Sequence, residues 1–379
     1  MKRILVLNYE FPPLGGGGGI AAKKLAVGFI KLGYKVDYVT TGFKGLKEFE
    51  VIDGINVYRI KVLGRKELPT ATMLSLVSFP FLAYRKANEL CKKNKYDFIN
   101  THFTIPTGPL GVWMSKKYKI KNILSLHGGD IYDPTKKKSP HRKFYFRAVV
   151  NLVLNNSDLI VAQSTNTKNN VAKYYRCHKN IKIVPLAYES FDFIKKTRKE
   201  LGLKDDVFYT ISVGRLVARK GFDFLIRSLA KINNDKIKAL IIGDGPEKEN
   251  LKKLAKSLNI PDRVIFLDSV SDERKFQYLA AADIYILSSV HEGFGIVLQE
   301  AMQVGLPIIA TNNGGQVDFI KDGENGFLIK FGDEKMLVER IEEILNNKEL
   351  KNKFSEYNKK DVKKFDVEKI CHQYLCLIK

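Results

Sequence analysis

Between Ala282 and Gly315 the chain reads ADIYILSSVHEGFGIVLQEAMQVGLPIIATNNGG, and this stretch limits the possible folds more than any other. A strand-like run, Ile284 to Leu287, ends in small polar residues and then in His291-Glu292-Gly293-Phe294-Gly295. A helical segment follows from Ile296 to Val304, and Gly305 stops it as a C-terminal glycine does. Pro307 leads a second apolar run, Ile308-Ile309-Ala310, which predicts the next strand. Strand, glycine-bracketed loop, helix, strand is the frame of a parallel α/β sheet. Glycines at the start of such a helix let a ligand approach the backbone. The free N–H groups and positive dipole end there suit an anion. Glu292 and Glu300 flank that anion site with seven residues between them.

On one continuous helix the two carboxylates would lie about 12 Å apart. Glycosidase acid/base pairs sit closer, roughly 5 to 9.5 Å, so a hydrolytic dyad is a poor reading. Two solvated glutamates beside a Rossmann-type helix would satisfy the spacing alone. Two acceptors spaced along a polyhydroxylated ligand, with its phosphates between them, satisfy the spacing and the glycines together. With its EGFG and EAM…G.P..AT..GG pattern the stretch resembles the retaining nucleotide-sugar glycosyltransferases of the GT-B fold, specifically glycosyltransferase family 4. That resemblance implies an α/β fold of two Rossmann-like α/β/α domains facing a central cleft. It implies that Glu292 faces the donor sugar and Glu300 the nucleotide ribose. Phe294, Gly295, Ile296 and Val297 would then line the donor site.

With 379 residues the chain has room for two domains with substantial cores. No run reaches the roughly 18 apolar residues of a membrane span, and the N-terminal MKRILVLNYEFPP enters a strand with no cleavage pattern. Cys91, Cys177, Cys371 and Cys376 show no metal-type spacing and read as reduced intracellular thiols. These features point to the cytoplasm. The net charge of +23 points to an anionic partner: nucleotide phosphates, an acidic membrane surface or nucleic acid.

The first half reads as its own α/β domain. Ile4 to Leu7 is a buried strand, and the loop from Phe11 to Gly19 ends in five consecutive glycines. A helix from about Ile20 to Leu32 follows, then a strand from Val36 to Thr40. The glycines fit close approach to a phosphate or sugar; a flexible loop is the plain alternative. The run meets the dinucleotide pattern only partly, since Ile20 fills its sixth position. The resemblance implies that Gly16, Gly17 and Gly18 contact the donor phosphates and shape the acceptor site.

Further strands are predicted at Phe98 to Thr101 and Asn122 to Leu126, the second ending in His127-Gly128-Gly129-Asp130. A histidine there stands where open α/β sheets bind ligands, although a satisfied turn histidine fits as well. The resemblance implies that His127 and Asp130 lie near the acceptor and the reacting sugar, with His102 a weaker candidate. Two segments bear on membranes. Thr70 to Tyr84 is apolar but too short to span. Lys136 to Arg147, KKKSPHRKFYFR, interleaves basic and aromatic residues and suits an anionic lipid interface; a charged loop leading into a core helix is the alternative.

A boundary is expected near Pro185 to Asp192, where Leu186-Ala187 replaces the Asn-Gly pair usual in the family. The resulting division is 1–188, an N-terminal acceptor domain, and 189–360, a C-terminal donor domain. The segment 361–379 is expected, by resemblance, to return as a helix to the first domain. The second domain opens with a strand, Val207 to Val213, then GRLVARKG (Gly214 to Gly221) and a helix from Phe222. Strand, glycine, basic loop and helix receive phosphate, and the resemblance gives Arg215 and Lys220 to the donor diphosphate. Further on, Gly243-Asp244-Gly245-Pro246 reads as a structural corner. The resemblance puts nucleobase contacts near Ser269-Val270, with Asp268 where a glycine is usual.

The catalytic candidates are therefore Glu292, His127, Arg215 and Lys220. No Asp-x-Asp metal triplet occurs, so no metal and no cofactor are expected beyond a UDP- or GDP-type donor. The expected activity is retaining transfer of a hexose-type sugar to a glycan, a lipid-linked acceptor or a small molecule. The rivals are a nucleotide-sugar epimerase on the same fold and a non-catalytic protein binding polyanions or membranes. Nucleic acid is disfavoured, because no motif for it is present and the paired glutamates would repel phosphates. A peripheral place on the inner face of the cell membrane remains a hypothesis.

Overall fold

The computed structural model describes residues 2–68 and 70–378; Met1, Pro69 and Lys379 lie outside them. The chain forms two compact units, Met1–Glu189 with Phe365–Lys379, and Ser190–Lys364.

The first unit runs β1 (Arg3–Leu7), α1 (Gly17–Lys31), β2 (Lys35–Gly42), β3 (Phe49–Ile52), β4 (Ile55–Lys61), α2 (Met73–Lys93), β5 (Phe98–His102), α3 (Gly108–Tyr118), β6 (Asn122–Leu126), α4 (Phe144–Asn156), β7 (Leu159–Ala162), α5 (Thr165–Tyr174) and β8 (Ile181–Ile183). Among the described residues these strands form one sheet ordered β3-β4-β2-β1-β5-β6-β7-β8. All neighbours are parallel except the β3–β4 hairpin. Asp53 and Gly54 turn that hairpin with φ of 49° and 79°, the geometry that an Asp-Gly pair favours. Alternate residues of β1 feed two cores. Ile4 and Val6 pack beneath α1, while Leu5 and Leu7 pack toward α2 and α3. Strands buried on both faces in this way read as continuous apolar runs.

The second unit runs β9 (Phe208–Val213), α6 (Phe222–Ala230), β10 (Ile237–Ile242), α7 (Lys248–Ser257), β11 (Val264–Phe266), α8 (Asp272–Ala281), β12 (Ile284–Leu287), α9 (Ile296–Val304), β13 (Ile308–Thr311), β14 (Gly326–Ile329), α10 (Glu334–Asn346) and α11 (Lys348–Asp361). Its sheet is parallel, ordered β11-β10-β9-β12-β13-β14. The chain leaves β9 toward β10 and comes back on the far side at β12. Their C-terminal ends therefore meet at a switch point, where open α/β sheets bind ligands.

The last segment differs in detail from the helix expected over 361–379. A 3₁₀ turn at Val362–Phe365 intervenes, and α12 starts at Val367. Asp366 makes the break: its carboxylate accepts the Glu368 N–H at 3.0 Å. The helix belongs to the first unit. Val367, Ile370, Cys371 and Tyr374 pack into the core beneath α1, and they come so close that a Cβ on Gly28 would lie 2.5 Å from Val367 and 2.6 Å from Cys371. Helix α1 likewise begins at Gly17, before the expected Ile20. Glu10 holds that early start, accepting the Gly16 and Gly19 N–H groups at 3.1 and 3.2 Å.

Candidate active site

In the second unit, the loops after β9 and β12 are fastened together. Val290 N–H donates to the Arg219 carbonyl at 2.9 Å, and Ser288 Oγ donates to the Lys220 carbonyl at 3.0 Å. Gly221 permits this contact, since a Cβ there would fall 2.1 Å from the Ser288 oxygen. The Gly243–Pro246 corner backs the same loop: Leu216 N–H donates to the Asp244 carbonyl, and Glu247 N–H donates to the Leu216 carbonyl.

This framework brings Lys220 Nζ to 2.5 Å from Glu292 Oε2, with 14% and 12% of the two side chains exposed. Burial raises the Glu292 pKa, but Lys220 and Arg219 outweigh it and hold the carboxyl below the usual range. Glu292 precedes α9 rather than riding on it. Its backbone is clamped by the Asn-Asn-Gly-Gly loop, with Glu292 N–H donating to the Asn313 carbonyl and Gly315 N–H to the Glu292 carbonyl. Gly314, at φ 145°, leaves room for that bridge.

Glu300 lies on α9, where Lys275 of α8 holds its Oε1 at 2.8 Å and bonds Asp272 at the same distance. Burial would lower the Lys275 pKa, but Glu300 and Asp272 raise it. Glu300 Oε2 is buried without a hydrogen-bond partner in the structure. Gly295, at φ 101°, opens α9, so its first N–H groups, through Val297, point out of the helix start. Arg215 is exposed on the β9 loop. These features bring Glu292, Lys220, Gly295, Ile296 and Val297 to one end of the sheet, while Arg215 reaches into solvent from the neighbouring loop.

Two sequence expectations change in detail. The Phe294 ring is 2% exposed and packs on Phe319 at 4.9 Å, so its side chain serves the core and only its backbone faces the helix start. Asp268 replaces glycine yet keeps a left-handed φ of 54°. An ion pair with Lys248 and the bond from Gly243 N–H to the Asp268 carbonyl hold it there. Val270, half-buried, lies two residues on.

In the first unit the candidates gather at the C-terminal ends of β1, β5 and β6. His102 pairs in register with Ser125; His127, two residues on, faces the same side. His102 Nδ1 is 2.9 Å from His127 Nε2. His102 Nε2 and His127 Nδ1 are buried without partners. Burial pushes the His127 pKa down to about 4 and that of His102 well down too, so the pair is neutral. Burial raises the Asp130 pKa; its carboxylate accepts Thr104 N–H at 2.7 Å and His127 N–H at 3.0 Å, which fixes the loop.

The glycine loop is partly occupied by the chain itself. The Glu10 carboxylate fills the Gly16 and Gly19 end, while the Gly17 and Gly18 N–H groups take no protein acceptor. Gly18 lies against Phe103, whose ring atom would meet a Cβ at 2.3 Å. The His pair lines a small pocket with Leu186, Ala187, Ile370 and Tyr374. Sequence reasoning did not single out Lys275, Glu10 or Phe103, and no local pattern marks them. Among the described residues, no three His, Cys, Asp or Glu side chains gather where they could hold a metal ion.

Comparison with known proteins agrees in both units. The Glycosyltransferase Family 4 model matches residues 15–189, and the Glycosyl transferases group 1 model matches residues 193–361. A lipopolysaccharide core biosynthesis glycosyltransferase of Rhizobium meliloti is 32% identical over 63% of this chain and 67% of its own. N-acetyl-alpha-D-glucosaminyl L-malate synthase of Bacillus anthracis is 27% identical over 96% of this chain and 93% of its own. An Anabaena protein solved in complex with UDP and glucose matches the fold with a TM-score of 0.80 and 22% identity, over 100% of this chain and 99% of its own. Two α/β units of this layout have the GT-B fold, and the two family models make the chain a glycosyltransferase. The chain belongs to glycosyltransferase family 4. That membership sets aside the epimerase and the non-catalytic rivals.

Proposed function

We propose that the protein moves a hexose-type sugar from a nucleoside diphosphate sugar to a hydroxyl of a glycan or lipid-linked acceptor, with retention and without a divalent metal. The observation that carries this reading is the Lys220–Glu292 pair beside the open N–H groups of α9.

In this reading the bond between the anomeric carbon and the diphosphate oxygen breaks, and negative charge grows on that oxygen. Lys220, Arg215 and the Gly295–Val297 N–H groups stabilise it. Lys220 has three donors, so it can keep Glu292 and still meet a phosphate. Glu292 orients the sugar hydroxyls, and the unpartnered Glu300 oxygen takes the ribose. The acceptor oxygen bonds to the anomeric carbon on the face the phosphate leaves, and its proton passes to the departing phosphate. His127, Asp130, Gly17 and Gly18 form the candidate acceptor site of the first unit. Neutral His127 acts there as a hydrogen-bonding group. Positive charge takes the place of a metal, and no cofactor is called for. UDP- and GDP-type donors both fit, and Val270 stands near the base. The four free cysteines suit a cytoplasmic setting.

A thermal-shift screen with UDP, GDP, ADP and their sugar conjugates in EDTA tests the donor half. A ligand at 100 times its dissociation constant adds about 2.7 kcal/mol of stability. Proton NMR of the product then reads the anomeric configuration. A selective shift, lost in Lys220→Ala, with a retained anomer is expected. Strict dependence on divalent metal or an inverted product overturns the mechanism.

A further inference from the structure

Three helices of the first unit, α2, α3 and α4, pack side by side and leave large apolar side chains in water. On α2, Leu74, Val77 and Phe81 recur at helical spacing and are 56%, 55% and 63% exposed. On α4, Tyr145, Val149 and Leu152 form a second stripe, and Phe144 at its start is 84% exposed. The two stripes flank α3. Phe81 meets Trp113 of α3 at 5.5 Å. Lys117 of α3 bonds Tyr84 and Asn88 of α2 at 2.8 and 2.7 Å, and Lys116 bonds Asn156 of α4.

Charge on these elements is one-sided. Over Met73–Lys93, Gly108–Tyr118 and residues 136–156 there are twelve lysines and arginines and a single acidic residue, Glu89. Lys136, Lys137, Lys138, Arg142, Lys143 and Arg147 are all exposed around Phe144 and Tyr145. No helix among the described residues is long and apolar enough to cross a membrane.

We propose that the outer face of α2, α3 and α4 docks on an anionic lipid surface, with Phe81 and Phe144 entering the headgroup boundary and the surrounding lysines and arginines meeting lipid phosphates. Two features together select this occupant. Basic groups alone would fit any polyanion. Exposed aliphatic stripes such as Leu74-Val77 and Val149-Leu152 give a nucleic acid nothing to stack on, whereas acyl chains cover them. The scarcity of carboxylates suits a surface carrying only negative charge, more than a mixed-charge protein partner. The inference is independent of the sugar-transfer reading.

The test is flotation of the full-length protein with two kinds of vesicle, phosphatidylcholine alone and phosphatidylcholine mixed with phosphatidylglycerol. Two surface variants go alongside: F81S with F144S, and K137E with K138E and K143E. All five side chains are exposed, Phe81 touching Trp113 and Phe144 touching Tyr145, and circular dichroism with a melting curve checks that both variants fold. Wild type is expected to float with the anionic vesicles only, and less in high salt. The charge variant should lose roughly fivefold in partitioning per basic residue removed, and the phenylalanine variant on the order of tenfold in all. Failure of wild type to float at low salt overturns the proposal. So does a folded phenylalanine variant that floats as well as wild type, because the face would then be a general polyanion site.

Discussion

Lys220 and Glu292 come from loops 72 residues apart, yet their charged atoms lie 2.5 Å from each other. One residue receives phosphate in the proposed reaction and the other receives sugar, so each keeps its partner in position before any ligand arrives. Replacing Lys220 with alanine leaves Glu292 largely buried without its nearest cation. A loss of about 2 to 4 kcal/mol is expected in thermal or urea unfolding, and transfer should fall by roughly a hundredfold or more. Glu292→Gln separates the two effects. It should keep most of the stability and lose most of the turnover. Equal stability losses in both variants would mean that the pair is structural only.

Lys275 sets which oxygen of Glu300 is spent inside the protein. Lys275→Met should weaken binding of the preferred nucleoside diphosphate about tenfold, the scale of one charge-assisted hydrogen bond. It should also narrow the preference for that nucleotide over its 2′-deoxy form. Isothermal titration with both forms measures this. An unchanged preference would show that Glu300 does not meet the ribose.

Gly314 should be irreplaceable for two reasons. Its φ of 145° is closed to side chains, and a Cβ would sit 2.2 Å from the Glu292 carbonyl oxygen. Gly314→Ala is expected to cost roughly 2 to 4 kcal/mol and to abolish turnover by moving Glu292. Gly129→Ala, where a Cβ meets nothing within 4 Å, is the control and should melt near wild type.

The histidine pair makes the first unit sensitive to acid. The His127 pKa is lowered to about 4 from 6.5. Its neutral form is therefore favoured by the fold, and that stability is intact above pH 6.5 and lost as pH falls toward 4. At about 1.4 kcal/mol per pKa unit, the loss approaches roughly 3 kcal/mol. Glu10 and Asp130 have raised pKa values and respond in the opposite sense, so the informative quantity is a difference between proteins. His127→Asn should flatten the fall of the melting temperature between pH 6.5 and 4.5 relative to wild type.

Much of the fold could be read from the chain because its strands are buried on both faces and glycines mark their ends. Ile284 to Leu287 and Asn122 to Leu126 matched their strands at both boundaries. The Asp53–Gly54 hairpin went unremarked, since its short flanking strands carry a weak pattern. In the site, residues set in loops after strands were visible by position. Lys275 was not, because nothing along α8 shows that Glu300 of the next helix faces it. Glu10 escaped for a similar reason: its partners appear only once the glycine loop folds back. Phe294 was read as a ligand contact because motif position cannot show which way a ring points.

Helix α12 is synthesised after the whole second unit, yet Cys371 lies against Gly28 and Tyr374 bonds Ser125 at 3.0 Å. The first unit therefore leaves the ribosome with the apolar side of α1 bare, and it stays bare while the whole second unit is made. Until α12 arrives, the nascent first unit is a natural client for chaperones. A product released early would carry that uncovered side as a mark of incompleteness, which a protease could read without sensing the active site at all.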